Sequence, residues 1–340
     1  LIFTMKMLSE SFLKNIKQSL EVSELKAIGP GGGGCINEGD VYASDIGKLF
    51  LKRNDKSEAE SMFRGELASL EAIRNTGVIR APKPYTVIVE PQKEKCENST
   101  VVLVMEYLDL KGSKAGAALG AQIADLHLHN QKLLNSPSTS RITTLSNDDP
   151  AEESDSRGSS SLIHEKRFGF HVPTSCGYIA QNNSWCDDWP SLITRKLDEQ
   201  IHKLQSESRP GREALLLWPA LQRVIPSLFD DLKEPIIPSL LHGDLWTGNV
   251  GSVTEDGVSK PVVFDPACFY GHHEYDLAIA GMFGGFGSAF WSSYFDRIPK
   301  QAGWDRRHKL YQLFHYLNHW NHFGSGYASS SLGIMRELTK

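Results

Sequence analysis

The string LLHGDLWTGNV (Leu240–Val250) sets a carboxylate, Asp244, and an amide, Asn249, in a D-x4-N spacing. The next segment, VVFDPA (Val262–Ala267), brings a second carboxylate, Asp265, to the end of an apolar, strand-like run. Phosphoryl transfer from ATP needs these groups. One carboxylate orients a hydroxyl and takes its proton, while an amide oxygen and a second carboxylate hold Mg²⁺ against the phosphates. D-x4-N followed by D within about one short hairpin is the spacing of kinase catalytic and metal loops. Taken singly, HGD and DP are ordinary turn sequences. What turns them toward chemistry is the company they keep upstream.

That company is a glycine run and a lysine. In IGPGGGGC (Ile28–Cys35), Gly31, Gly32, Gly33 and Gly34 can bring backbone N–H groups over phosphates. The run departs from G-x-G-x-x-G, so its grip on phosphate is expected to differ in detail. Lys52 closes the strand-like GKLFLK and precedes Glu66 in the next helical segment. A lysine so placed reaches the α/β-phosphates when a carboxylate positions it. Lys48, on the same strand face, competes for the role. Cys35 stands at the edge of the glycine loop. It either packs beneath the loop or serves as a redox switch, its oxidation (for example to a disulfide between two subunits) distorting the loop.

The elements that must carry these groups follow from periodicity. Glu10–Leu20 has helical apolar spacing, and VYASDIGKLFLKRN reads as two strands joined by a turn. EAESMFRGELASLEAIRNTG is helical and closes on a glycine. RAPKPYTVIVE and TVVLVMEYLDL read as strands, which completes a small lobe over 1–108. The remainder, 109–340, is mostly helical, beginning with AGAALGAQIADLHLHN and continuing with helices near 189–206, 212–232 and 306–322. The segment 135–161 is dense in Ser, Asp, Pro and Glu. With so few apolar residues to offset ordering entropy, it is expected to be a disordered insert. The fold class expected is α+β, bilobal, with a small β-rich N-lobe and a larger, mainly helical C-lobe.

Composition narrows the partners. The 340 residues carry 36 Lys and Arg against 41 Asp and Glu, a net charge of −5, which gives no reason to expect nucleic acid or an anionic membrane. No apolar run approaches the roughly 18 residues needed to span a bilayer. Five scattered cysteines without CxxC spacing argue against a disulfide framework and a zinc ribbon, and for a reducing compartment. His127 and His129 point to different sides of a helix, and His272–His273 lack a cysteine pair, so a zinc site is not expected. The expected location is the cytoplasm, or an organelle if a transit peptide precedes Leu1.

With these motifs the chain resembles the fructosamine kinase (ketosamine-3-kinase) family, related to aminoglycoside phosphotransferases and choline kinases within the protein-kinase-like fold. GGGG-C-IN, LFLK, GEL, MEYL, HGDLWTGN and FDPA are the general kinase marks. More particular are FGFHVPTSCGYIAQNNSWCDDWPSLITRKL (Phe168–Leu197), YGHHEYDLAIAGMFGGF (Tyr270–Phe286) and YLNHWNHFGSGY (Tyr316–Tyr327). The resemblance implies that Asp244 is the catalytic base, that Asn249 and Asp265 bind Mg²⁺, and that Lys52 binds ATP phosphates. It also implies that the hinge Glu106, Tyr107 and Leu108 receives adenine through its backbone. The reaction implied is ATP-dependent phosphorylation of the 3-hydroxyl of a ketosamine, free or on a glycated lysine of a protein. The 3-phosphate is unstable, so this step initiates deglycation. A monomer, or a homodimer governed by redox state, is expected.

The residues themselves agree with small-molecule chemistry. HGD lacks the arginine that protein kinases place before this aspartate, and no APE-like segment follows Asp265. His273, Glu274 and Asp276 are candidates to bond sugar hydroxyls or a protonated amine, with a helix anchor as the other reading of Asp276. Trp246, Trp185 and Trp189 are candidate flat walls for a sugar ring, Trp246 foremost. The alternatives are an aminoglycoside- or choline-type kinase and a pseudokinase scaffold, the latter opposed by the joint presence of Lys52, Asp244, Asn249 and Asp265.

Overall fold

Apolar residues at alternate positions on each strand divide the N-terminal elements into two faces. The computed structural model describes residues 8–31, 38–90, 99–110, 116–135, 164–204 and 209–340. The first elements are α1 (Glu10–Leu20), β1 (Leu25–Pro30), β2 (Glu38–Ser44), β3 (Gly47–Asn54), α2 (Ala59–Asn75), β4 (Pro84–Val89) and β5 (Val101–Glu106). The strands form one antiparallel sheet in the order β1-β2-β3-β5-β4. Ser9 caps α1 by accepting from the Phe12 N–H at 3.1 Å, and the helix lays Phe12 and Ile16 on one face of the sheet. There they meet Leu49 and Leu51 of β3 and Val102 and Val104 of β5. The period of two sends Val101, Leu103 and Met105 to the opposite face, where α2 packs with Met62, Phe63 and Leu70. Lys52, paired with Leu103 across the ladder, belongs to that second face. The parity of β3 thus aims the lysine at α2.

After Ala117 the chain is mainly helical: α3 (Ala117–Leu134), α4 (Trp189–Lys203), α5 (Arg209–Val224), α6 (Glu274–Ala280), α7 (Ser288–Phe295), α8 (Trp304–Phe323) and α9 (Ala328–Leu338). Short antiparallel pairs punctuate it: β6 (Thr174–Cys176) with β7 (Ile179–Gln181), β8 (Ser239–Leu241) with β11 (Phe269–Gly271), and β9 (Val250–Glu255) with β10 (Val258–Val263). Asp256 and Gly257, both at positive φ, make the tight turn between β9 and β10. The helix expected over 212–232 stops at Val224 and gives way to a 3₁₀ turn over Pro226–Phe229, because Pro226 has no N–H to continue it. The expected insert lies outside the described residues except for Asn135.

One apolar core runs through both parts of the chain, joining Phe63 and Leu70 of α2 to Ile123 of α3, Leu192 of α4 and Tyr275 of α6. The α2 helix is therefore packed from two sides, by the sheet and by the C-terminal half. Among the described residues, no helix is long and apolar enough to cross a membrane.

Candidate active site

β8 leads straight into His242-Gly243-Asp244, and the loop is held from behind. Asp276, in the first turn of α6 and fully buried, accepts the N–H groups of His242 at 2.7 Å and Gly243 at 2.8 Å. His127 Nε2 lies 3.1 Å from the same carboxylate, with its Nδ1 facing the Tyr294 hydroxyl at 2.8 Å. Burial opposes the Asp276 charge, but the His127, His242 and Gly243 groups outweigh it and lower its pKa. Gly243 has φ of +82°, and a Cβ there would stand 2.1 Å from the Ala267 carbonyl oxygen. Only glycine fits that crossing. His242 is kept neutral by burial, which lowers its pKa despite the nearby Asp276. Its Nδ1 accepts the Asp244 N–H at 3.3 Å, so Nε2 carries the proton and donates to the Phe264 carbonyl at 3.1 Å. The loop's backbone and the strand before Asp265 are thereby tied to one imidazole.

Asp244 is partly buried on the floor of a cavity of about 390 Å³. Burial first, and then the Asp265 and Asp276 charges, push its carboxyl up to about 7, against the lowering pull of Asn249 and Lys52. The Asn249 amide N–H donates to the Asp244 carboxylate and to its carbonyl, both at 2.9 Å, which leaves the amide oxygen free of this work. Asp265 sits at φ +54°, an uncommon conformation for a non-glycine residue. One of its oxygens meets Lys52 Nζ at 3.0 Å. The same ammonium donates to both Glu66 oxygens, at 2.8 and 2.7 Å. Burial opposes the Lys52 charge, but Asp265 and Glu66 outweigh it and raise its pKa. Lys48 is exposed and lies over the Tyr107 ring instead.

Of the expected nucleotide contacts, Gly31 lies within the described residues and Gly32, Gly33, Gly34 and Cys35 lie outside them. A Cβ on Gly31 would strike the Phe50 ring at 2.5 Å, so this glycine is needed for close approach to the sheet. In the hinge, the Glu106 N–H is taken by the Lys83 carbonyl and the Tyr107 N–H by the Lys48 carbonyl, at 2.8 and 3.0 Å. The Glu106 carboxylate is bound to Arg80 and to the Lys83 N–H. These bonds leave Leu108 as the hinge residue whose N–H can be offered to a base.

The acceptor side departs from expectation. Trp246 lines the cavity, but Trp189 is buried in the core, donating to the Tyr311 hydroxyl, and Trp185 lies beside Tyr270 beneath Arg167. His273, Glu274 and Asp276 do not line it. Glu274 is buried in a two-point ion pair with Arg307, both contacts at 2.8 Å. His273 packs against His127 and His272, and burial drives its pKa down to about 3. Asp276 is the anchor described above. All three lie near Asp265 in sequence, yet none reaches the cavity: His273 precedes α6, and Glu274 and Asp276 are buried in its first turn.

The wall they were expected to form comes from the end of α8 and the β6–β7 hairpin. Asn318, His319, His322 and Phe323 face the cavity, joined by Phe283 and Tyr327. Positions 318 and 322, and 319 and 323, are one turn apart, so these four side chains share one stripe near the end of α8, a helix whose mixed polar and apolar sequence does not single them out. Gly177 completes the wall, because a Cβ at this position (φ +69°) would stand 2.2 Å from His322 Nε2.

Comparisons with known proteins bear on the family and the fold. The sequence model of fructosamine kinase matches residues 5–135 and 159–340. A mouse protein named ketosamine-3-kinase is 48% identical over 327 residues, 96% of this chain and 99% of its own. A chloroplastic protein-ribulosamine 3-kinase of Arabidopsis thaliana is 34% identical over 321 residues, 94% of this chain and 85% of its own. Among solved structures, a candidate fructosamine-3-kinase of Haemophilus somnus superposes with a TM-score of 0.69 at 21% identity, covering 96% of this chain and 97% of its own. The aminoglycoside phosphotransferase APH(4)-Ia, at 12% identity in a thermostable mutant, gives 0.51 over 96% of this chain and 97% of its own. These structural likenesses show the bilobal protein-kinase-like fold. The chain belongs to the fructosamine kinase family.

Proposed function

We propose that the protein transfers the γ-phosphoryl group of ATP to the 3-hydroxyl of a ketosamine, a sugar joined to an amine as in glycated lysine, and so initiates deglycation. The observation that carries this reading is the convergence of Asp244, Asn249, Asp265 and the Lys52–Glu66 pair on one cavity. The names of the mouse and Arabidopsis relatives support the acceptor class.

Each residue's work follows from its surroundings. Asp244 accepts the proton of the sugar hydroxyl, and a carboxyl pushed up to about 7 is suited to holding it near neutral pH. The Asn249 amide fixes the carboxylate rotamer. Lys52, held by Glu66, presents a permanent positive charge to the nucleotide phosphates. The Asn249 amide oxygen and Asp265 are hard oxygen donors that fit Mg²⁺, and a bound Mg²⁺ would neutralise phosphate charge there. Trp246 offers a flat face to the sugar, and the wall of α8 closes the acceptor side.

The test is ADP release with Mg-ATP across fructosyl-lysine, ribulosyl-lysine, an aminoglycoside and choline, with the phosphorylated position assigned by NMR. Release with the ketosamines, a 3-phosphate product, and loss of release in Asp244→Ala are expected. Release with aminoglycoside or choline alone would overturn the acceptor class, and undiminished release in Asp244→Ala would overturn the role of that residue.

A further inference from the structure

Behind the cavity runs a chain of hydrogen bonds that takes no part in the transfer itself. It starts at Lys196 on α4, an ammonium 1% exposed. Its donors reach the amide oxygens of Gln181 at 2.9 Å and Asn183 at 2.7 Å, and Nζ lies 4.0 Å from the centre of the Phe269 ring. No carboxylate among the described residues forms an ion pair with it. Burying an ammonium among neutral groups is costly, and such a residue calls for a purpose.

The bonds continue in one direction. Asn183 Nδ2 donates to Thr174 Oγ1 at 2.8 Å, and Thr174 Oγ1 donates to the Cys268 carbonyl at 3.3 Å. The Cys268 N–H then donates to Ser69 Oγ at 3.0 Å, and Ser69 Oγ donates to the Gly65 carbonyl at 2.7 Å. Asn183, Thr174, Cys268 and Ser69 are all buried. Every link donates away from Lys196; the first run ends on the Cys268 carbonyl and the second starts from the Cys268 N–H in the neighbouring peptide group, so the backbone of Cys268 is gripped from both sides.

The far end reaches the two elements that must stay in register. Gly65 is the residue before Glu66, and Cys268 follows Asp265 within the same short segment. Close packing accompanies the bonds, since a Cβ on Gly65 would stand 2.5 Å from the Pro173 carbonyl oxygen in the segment entering β6. The hairpin, the metal loop and α2 are thus seated on one another through glycine and hydroxyl groups rather than bulk.

We propose that Lys196 and Thr174 are positioning residues, the head and the middle of a buried relay that registers Glu66 and Asp265 about Lys52. The proposal rests on the reading that Lys52 and Asp265 meet the metal–nucleotide. Breaking the relay lets α2 and the metal loop shift separately, and the affinity for Mg-ATP falls.

Calorimetric titration of the full chain with Mg-ATP tests this and needs no sugar acceptor. Thr174→Val and Lys196→Met should each weaken Mg-ATP about tenfold, and Thr174→Ser, which keeps the hydroxyl, should bind as wild type. The Lys196→Met/Thr174→Val double variant should be no weaker than the worse single one, because the head acts through the middle. Thr174→Val nearly conserves shape, so the test stands if Lys196→Met fails to fold. Wild-type affinity in Thr174→Val, additive losses in the double variant, or equal loss in Thr174→Ser would overturn the relay. A wild-type chain that binds no Mg-ATP would instead overturn the reading of the site, and the relay with it.

Discussion

Lys52 and Lys196 are both buried, 6% and 1% exposed, and the fold surrounds them in opposite ways. Lys52 faces two carboxylates, Glu66 and Asp265, and its pKa is raised. Lys196 faces two neutral amides and an aromatic ring, and burial lowers its pKa to about 7. Burial is the same unfavourable influence in both. Only partners of full opposite charge reverse it. The difference separates the two residues: Lys52 keeps its charge at the proposed phosphate site, while Lys196 titrates at about 7 and spends its donors on neutral amides.

The sharpest way to break the comparison is to remove the fixed charge. Lys52→Met leaves Glu66 and Asp265 crowded together without their cation. Turnover should fall by about 10²–10³-fold, on the scale of losing one preorganised electrostatic contact to the transition state. Folding stability should fall by about 3 kcal/mol, since one partner of a buried pair is left uncompensated. Steady-state ADP release and urea unfolding would read the two effects, and a Lys52→Met enzyme with near-normal turnover would remove the charge from the mechanism.

The same substitution at Lys196 should behave differently. Lys196→Met removes a buried amine that no carboxylate among the described residues pairs with directly, Glu199 acting only as a nearby charge, and lays a thioether against the Phe269 ring. Stability should stay within about 1 kcal/mol of wild type, while the affinity for Mg-ATP falls. Urea unfolding decides it. A loss as large as that of Lys52→Met would mean that the ammonium holds up the hairpin rather than its register.

The contrast was half legible in the sequence. Strand parity and the spacing to Glu66 exposed Lys52, and D-x4-N exposed Asp244 and Asn249, because those relations are local or lie along one strand. Lys196 was invisible: its partners Gln181 and Asn183 form no motif until the hairpin folds back over α4. Asp276 shows the same limit from the other side. A carboxylate near the metal loop reads alike whether it faces a substrate or the backbone N–H groups of His242 and Gly243, and only the direction of α6 decides. His319 and His322 were missed because their chemistry depends on where α8 ends, not on their spacing.

Acidity gives a finer separation in the ligand-free enzyme. The Asp244 pKa is raised to about 7 from an ordinary value near 3.8. Its contribution to stability is fully present below that ordinary value and is lost as pH rises through about 7. Lys196 is lowered to about 7 from 10.5, so its contribution is present above 10.5 and is lost as pH falls through about 7. Thermal melting from pH 4 to 10 should therefore lose its downward slope on the acid side in Asp244→Asn and its upward slope on the alkaline side in Lys196→Met. Slopes unchanged in both variants would show that neither group titrates with folding.

The smallest effect belongs to Lys48, the lysine that shares the face of Lys52 in the pattern of β3. Its side chain is exposed over Tyr107, and what it gives the fold comes from its main chain, the carbonyl that accepts the Tyr107 N–H at the hinge. Truncation to alanine keeps that carbonyl. Lys48→Ala should change turnover less than about twofold and stability by no more than about 0.5 kcal/mol, the range of surface substitutions. Equal losses in Lys48→Ala and Lys52→Met, measured by the same ADP-release assay, would reassign the phosphate-binding cation. A silent Lys48→Ala would instead show that strand parity alone does not select the working lysine, and that the carboxylates behind Lys52 do.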